Sequence, residues 1–208
     1  MAILTPETES PVSGKSRRVL RNRVLGLPGL LTGSLCLVLC LLQPNRAFGQ
    51  TVSREYPLKA VFLLNFSRFT EWPTNAFETP NSDFVIGILG KNPFGPVMGE
   101  TVEDEKLSGR KYAVEYYENV SEVKKCNMLF ISQSETGHLS GIVADLKDKP
   151  ILTVSDSQEA AQMGVCVQFV TKENKIRLRI NMDSLKSAHL TMSSELLRLA
   201  DVISVATQ

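Results

Sequence analysis

Asn65, Arg68 and Trp72 are the first residues along this chain whose types and spacing suggest chemistry. On a helix they fall at i, i+3 and i+7, so an amide, a guanidinium and an indole would line one edge and could hydrogen-bond or stack on a ligand or partner. The same spacing also fits a purely architectural role, with Asn65 bonding a neighbouring backbone and Trp72 sealing a core. A second set lies in "RLRIN", residues 177–181. There Arg177, Arg179 and Asn181 share one face of a strand, while Ile176, Leu178 and Ile180 take the other. Two arginines on one sheet face could hold a carboxylate or phosphate. They could equally be two solvated cations on an outer strand.

Catalytic chemistry finds little support. The chain has only His138 and His189 as histidines, and neither sits in a nucleophile–base motif. No G-x-S-x-G elbow, phosphate-binding P-loop or dinucleotide-binding G-x-G-x-x-G follows a predicted strand. Glu103, Asp104 and Glu105 cluster in a predicted loop, the pattern of a solvated surface. No catalytic residue, metal site or cofactor is assigned on these grounds.

The elements that must position the two sets alternate between helix and strand. Residues 53–71 read as a first helix, with Ser53 as its cap, Pro57 in its first turn and Pro73 beyond its end. About its axis Leu58, Phe62, Phe66 and Phe69 form a stripe expected to be core. "DFVIGILG" (83–90), "KYAVEYY" (111–117), "CNMLFIS" (126–132) and "PILTVSD" (150–156) read as strands. Short helices are expected in "NPFGPVMGETV", "SEVKK", "SETGHLSGIVADLKD" and "SQEAAQMG". "VCVQFV" and "KIRLRINM" flank a turn-rich segment as an antiparallel hairpin, and "SSELLRLADVI" reads as a last helix. The expected fold is α/β, a three-layer Rossmann-like sandwich whose mixed, mostly parallel sheet ends in a C-terminal antiparallel hairpin plus helix.

The chain has 208 residues, of which 43% are apolar and 22% charged, enough for one domain with its own core. Residues 1–49 read as an export segment: a polar start, then Lys15, Arg17, Arg18, Arg21 and Arg23, then an uncharged run from Val24 to Leu42. Cleavage between Gly49 and Gln50 fits the small residues at Ala47 and Gly49, leaving residues 50–208 as a single α/β domain. An uncleaved anchor is the other reading of so long a run, and "SRRVL" leaves general secretion and twin-arginine export both open. Without residues 1–49 the chain loses six basic and two acidic groups, and its formal charge moves from +1 to −3. Such a domain has no general attraction for nucleic acid or anionic lipid. Cys36 and Cys40 leave with the export segment, so Cys126 and Cys166 remain. Paired, they would close a loop of about 40 residues, worth on the order of 4 kcal/mol; unpaired, they would be small buried hydrophobes on separate strands.

The blocks "YPLKAVFLLNFSRFTEWP", "VIGILGKNPFG", "CNMLFIS", "PILTVSD" and "KIRLRINMDSLKSAHLTMSSELLRLA", in this order and behind an export signal, resemble the YfiR family, the YfiR/HmsC-like periplasmic regulators. The resemblance spans residues 55–203. It implies a periplasmic protein without catalysis of its own, which represses an inner-membrane diguanylate cyclase by direct contact and so limits cyclic di-GMP and biofilm formation. It also implies a homodimer, an outer-membrane lipoprotein as a further partner and, in some members, redox-sensitive disulfides. Only Cys126 matches a family cysteine by context, and Asn65, Trp72, Arg177 and Asn181 stand in recognisable blocks. The residues by themselves also allow a periplasmic small-molecule sensor or binding protein serving a histidine kinase or a transporter, its pocket built from Asn65, Arg68 and Arg179.

Overall fold

Apolar runs closed by glycine or serine become parallel strands, and the amphipathic segments between them become the layers on either side. The computed structural model describes residues 55–173 and 175–204; the expected export segment and the Ser53 cap lie outside them. In chain order the elements are α1 (Glu55–Arg68), β1 (Thr70–Glu71), β2 (Phe84–Leu89), α2 (Val97–Val102), β3 (Lys106–Leu107), β4 (Arg110–Tyr117), β5 (Met128–Ile131), α3 (Leu139–Asp145), β6 (Leu152–Ser155), β7 (Val167–Lys172), β8 (Lys175–Asn181), α4 (Met182–Ser187), β9 (Thr191–Met192), α5 (Ser194–Leu197) and β10 (Ala200–Ile203).

The main sheet has eight strands in the order β10-β8-β7-β6-β5-β2-β4-β3. Its centre, β4-β2-β5-β6-β7, is parallel. Counted along the chain, these five strands take the order 2-1-3-4-5 of a doubly wound fold. β8 returns antiparallel to β7 as the expected hairpin, and β3 runs antiparallel to β4 at the other edge. The expected mixed, mostly parallel α/β sheet is therefore present.

Both faces of the sheet are covered, which is why its strands read as continuous apolar runs. Side chains alternate along β5: Met128 and Phe130 join the larger core beneath α1 and α2, whereas Leu129 and Ile131 join the smaller core beneath α3. Gly87 in β2 faces the smaller core. A Cβ there would approach Tyr117, Leu129 and the Cys126 sulfur to under 3 Å, so this strand carries glycine because its neighbours fill the space.

Three expected elements differ. α1 ends at Arg68 because Thr70 and Glu71 leave the helix to pair antiparallel with Met192 and Thr191, and Phe69 O accepts a bond from Ser193 N. Trp72 is consequently not on the helix. The "SQEAAQMG" segment is a series of turns with Glu159 at φ 58° instead of a helix. The last expected helix is only the four residues of α5, capped by Ser193, after which the chain turns into β10 and lies parallel to β8, with Ala200 opposite Leu178 and Val202 opposite Ile180.

Candidate partner-binding surface

α1 has two faces of unusual character. Its buried face carries Ala60, Leu63, Leu64, Phe66 and Ser67, together with Lys59. Phe66 stacks on Phe169 of β7 with ring centroids 5.7 Å apart, and Phe62 meets the same ring edge-on at 5.9 Å. The outer face is also apolar. Leu58 is 49% exposed, Val61 45% and Phe69 37%. The expected core stripe of Leu58, Phe62, Phe66 and Phe69 is thus corrected: only Phe66 is fully buried, and the stripe is rotated so that Leu58 and Phe69 open to solvent. Scattered apolar residues on a surface need no explanation. Leu58 and Val61 on the helix, with Phe69 just past its end, form a patch that takes in Asn65 and Arg68, the pattern of an interaction site.

The five residues singled out from the sequence do not converge on one pocket. Asn65 and Arg68 lie on α1, where Arg68 is exposed and its Nη2 donates to Glu105 Oε2 at 2.5 Å. Arg177 and Arg179 lie on the face of β8 away from α1, since Leu178 and Ile180 between them join the α1 core. Arg179 Nε bonds Asp201 Oδ2 of β10 at 2.8 Å, a pairing across adjacent parallel strands. Asn181 is buried and architectural: its Oδ1 accepts from Asp183 N and Ser184 N to cap α4, and its Nδ2 donates to Ala161 O.

Trp72 is held by the scaffold. Its ring meets Phe84 edge-on at 4.9 Å, and its Nε1 donates to Asn127 O at 3.2 Å. Asn127, itself buried, accepts from Val85 N and donates to Ala76 O. One asparagine thereby joins β2, the segment after Trp72 and the entry to β5. Replacing Trp72 by Phe keeps the stacking and removes one donor, an expected loss of about 1 kcal/mol. Trp72→Ala is expected to cost about 3–5 kcal/mol, read by urea unfolding.

Cys126 and Cys166 are free thiols, and the topology gives the reason. They precede β5 and β7 with β6 between them, a separation of two strand spacings, about 9–10 Å, where a disulfide needs Cα atoms within about 7 Å. They also belong to opposite layers, Cys126 packing with the α3 core and Cys166 with the α1 core. Burial pushes the Cys126 thiol up to about 12 and raises that of Cys166. Buried Cys166 should resist maleimide in the native state, half-buried Cys126 should label slowly, and both should label fully in denaturant. A native mass two hydrogens short of the dithiol would contradict this arrangement.

The sequence reading missed a buried ion cluster beneath the N-terminal turn of α1. Lys59 Nζ donates to Glu55 Oε1 at 2.7 Å and to Asp156 Oδ2 at 2.5 Å, and both the Lys59 and Asp156 side chains are nearly inaccessible. Tyr56 Oη also donates to Asp156 Oδ2, and the Lys59 ammonium lies over the Tyr56 ring, 4.6 Å from its centroid. Burial and then the Asp156 carboxylate hold the Tyr56 phenol well above its ordinary range. A signal was available: Lys59 sits one turn before Leu63 on the face that carries the core.

Burial alone would raise the Glu55 carboxyl, but bonds from Lys59 and Thr171 outweigh it and hold the group below its ordinary value of 4.5. A depressed carboxylate contributes stability that is complete above its unfolded pKa and is lost as pH falls through the folded one. The melting temperature should therefore hold from neutrality to about pH 5 and fall in more acid solution. Glu55→Gln should remove part of that acid-limb slope.

Among the described residues no group of three or more His, Cys, Asp or Glu side chains is placed to hold a metal ion, and no helix is long and apolar enough to cross a membrane. His138 is exposed, its Nδ1 3.7 Å from Glu135 Oε2, and His189 occupies a left-handed turn with φ 56°.

The fold and surface define a doubly wound α/β domain with an apolar helix face bordered by an arginine. The chain belongs to the YfiR/HmsC-like family, whose model matches residues 56–201. No curated protein matches it. A solved structure, a conserved domain protein from Vibrio cholerae, is similar at 8% identity with a TM-score of 0.49. That match covers 72% of this chain and 60% of the other, so this chain spans less than two thirds of that chain's length.

Proposed function

We propose that the protein is an exported periplasmic regulator that represses an inner-membrane signalling enzyme, a diguanylate cyclase, through contact made by the outer face of α1. Membership of the YfiR/HmsC-like family supports the regulatory class and the periplasmic location. The observation that carries the reading is the exposed apolar row of Leu58, Val61 and Phe69 beside Asn65 and Arg68. Phenylalanine and arginine are enriched at interfaces, and Leu58 and Val61 add apolar area that a partner would bury. A non-enzymatic repressor needs only differential affinity for the inactive form of its partner. About 5.5 kcal/mol turns a two-state output from nearly all active to nearly all inactive.

Cleavage near Gly49 and Gln50 would accompany export. Arg177, and Arg179 with its Asp201 partner, lie on the opposite sheet face, where a second partner such as an outer-membrane lipoprotein would dock, while a homodimer would occupy further surface. The test is cellular cyclic di-GMP in a strain lacking the gene. Elevated cyclic di-GMP, restored by the wild-type gene, is the expected result; an unchanged level in a strain whose cyclases are active would overturn the cyclase as partner.

A further inference from the structure

In a doubly wound sheet the ligand crevice lies beyond the carboxyl ends of the strands where the order reverses, here between β2 and β5. That crevice is closed. Gly90, at φ 84°, turns so tightly against Ser134 and Glu135 that a Cβ would collide with both, and Lys91 N donates to Ser134 Oγ. The open space lies further along the same side of the sheet, beyond the end of β6. There Glu55, Gln133, Thr136, Asp156, Gln158 and Thr171 help to line a cavity of about 600 Å³, within the range of small-molecule sites.

The polar groups around this cavity are hydroxyls, amides and one ion cluster, with Phe169 and Val170 as its apolar wall. Among the described residues Lys59 is the only basic one lining it, and that ammonium is buried and committed to two carboxylates. The cluster therefore keeps one net negative charge, and an anion entering the cavity would meet no free cation among the described residues. Asp156 Oδ1, beside the cavity floor, is buried without a hydrogen-bond partner among the described residues, a state that costs stability until a donor arrives. Glu55 uses Oε1 for both Lys59 and Thr171, which leaves its other oxygen to accept from a guest. The described residues supply acceptors and negative charge, and the one cation among them, Lys59, is already paired.

We propose that the cavity beyond β6 is a binding site for a small organic amine, whose ammonium would be held by Glu55 and, after a small adjustment of the cluster, by Asp156, with the amides and hydroxyls of Gln133, Gln158 and Thr136 taking its polar body. This site is separate from the outer face of α1 and does not depend on the identity of any protein partner.

Calorimetric titration of the exported protein with putrescine and with glucosamine tests it, with glucose as the uncharged control and inorganic phosphate as the anionic one. Saturable binding of at least one amine is expected, weakened roughly tenfold by Glu55→Gln, which removes a charge-assisted bond. Gln158→Trp, a substitution at an exposed position, should block the cavity without lowering the melting temperature of the unliganded protein. No saturable binding of either amine would overturn the proposal. So would equal binding of glucose or phosphate, or amine binding unchanged in both variants.

Discussion

Lys59→Ala is expected to lower the unfolding free energy by about 3–5 kcal/mol, because it leaves the Asp156 carboxylate buried without its counter-charge. The ammonium lies 2.5 Å from Asp156 and 2.7 Å from Glu55, and the Asp156 side chain, 3% exposed, has little access to water in its place. Tyr56 would remain as a single neutral donor to Asp156. The double change Lys59→Met with Asp156→Leu removes both charges and keeps most of the volume, so it should recover the larger part of the loss. Urea unfolding of the two variants decides the matter. A single-variant loss below about 1 kcal/mol, the range of surface pairs, would show that the cluster is solvated in solution.

Converting Leu58 and Val61 together to glutamate should weaken partner binding by a factor of about 100, as each loses an apolar contact worth about 1.4 kcal/mol, and leave the melting temperature nearly unchanged. Both side chains are about half exposed, so their removal from the free protein takes little from the core. Phe66→Ala, by contrast, should unfold the domain before it reports on binding, since Phe66 is fully buried against Phe169. The pair of outcomes separates a surface role from a packing role on the same helix.

Much of the sheet was legible in the sequence because strands buried on both faces are continuous apolar runs, and "DFVIGILG" and "CNMLFIS" have few other ways to fold. The β7–β8 hairpin was equally plain from the alternation of "KIRLRINM". The C-terminal segment was not. Leu196, Leu199 and Val202 recur at helical spacing, yet the free edge of β8 supplies backbone partners that a helix would leave unpaired, and the chain becomes β10 with Leu199 78% exposed. Local periodicity lost there to a tertiary hydrogen-bond ladder.

The aromatic stretch around α1 misled for a different reason. A helix that is apolar on two faces has no unique inward direction in its sequence, and the burial of Lys59 by Asp156, almost a hundred residues away, helps to set its rotation. The same long-range pairing hid the ion cluster from a reading of local motifs. Trp72 separated from Asn65 and Arg68 because the β1–β9 pairing ends the helix four residues before Trp72. Arg177 and Arg179 shared a face as expected, but which side of the sheet that face occupies depended on the packing of Leu178 and Ile180.

Photo-crosslinking from position 61 in intact cells tests the central claim most directly, with a photoreactive residue at exposed Ser140 on α3, across the sheet, as the control. The account predicts an adduct between position 61 and an integral membrane diguanylate cyclase, and none from position 140. Adducts to such a cyclase from position 140 alone, or no membrane protein captured from position 61, would contradict it.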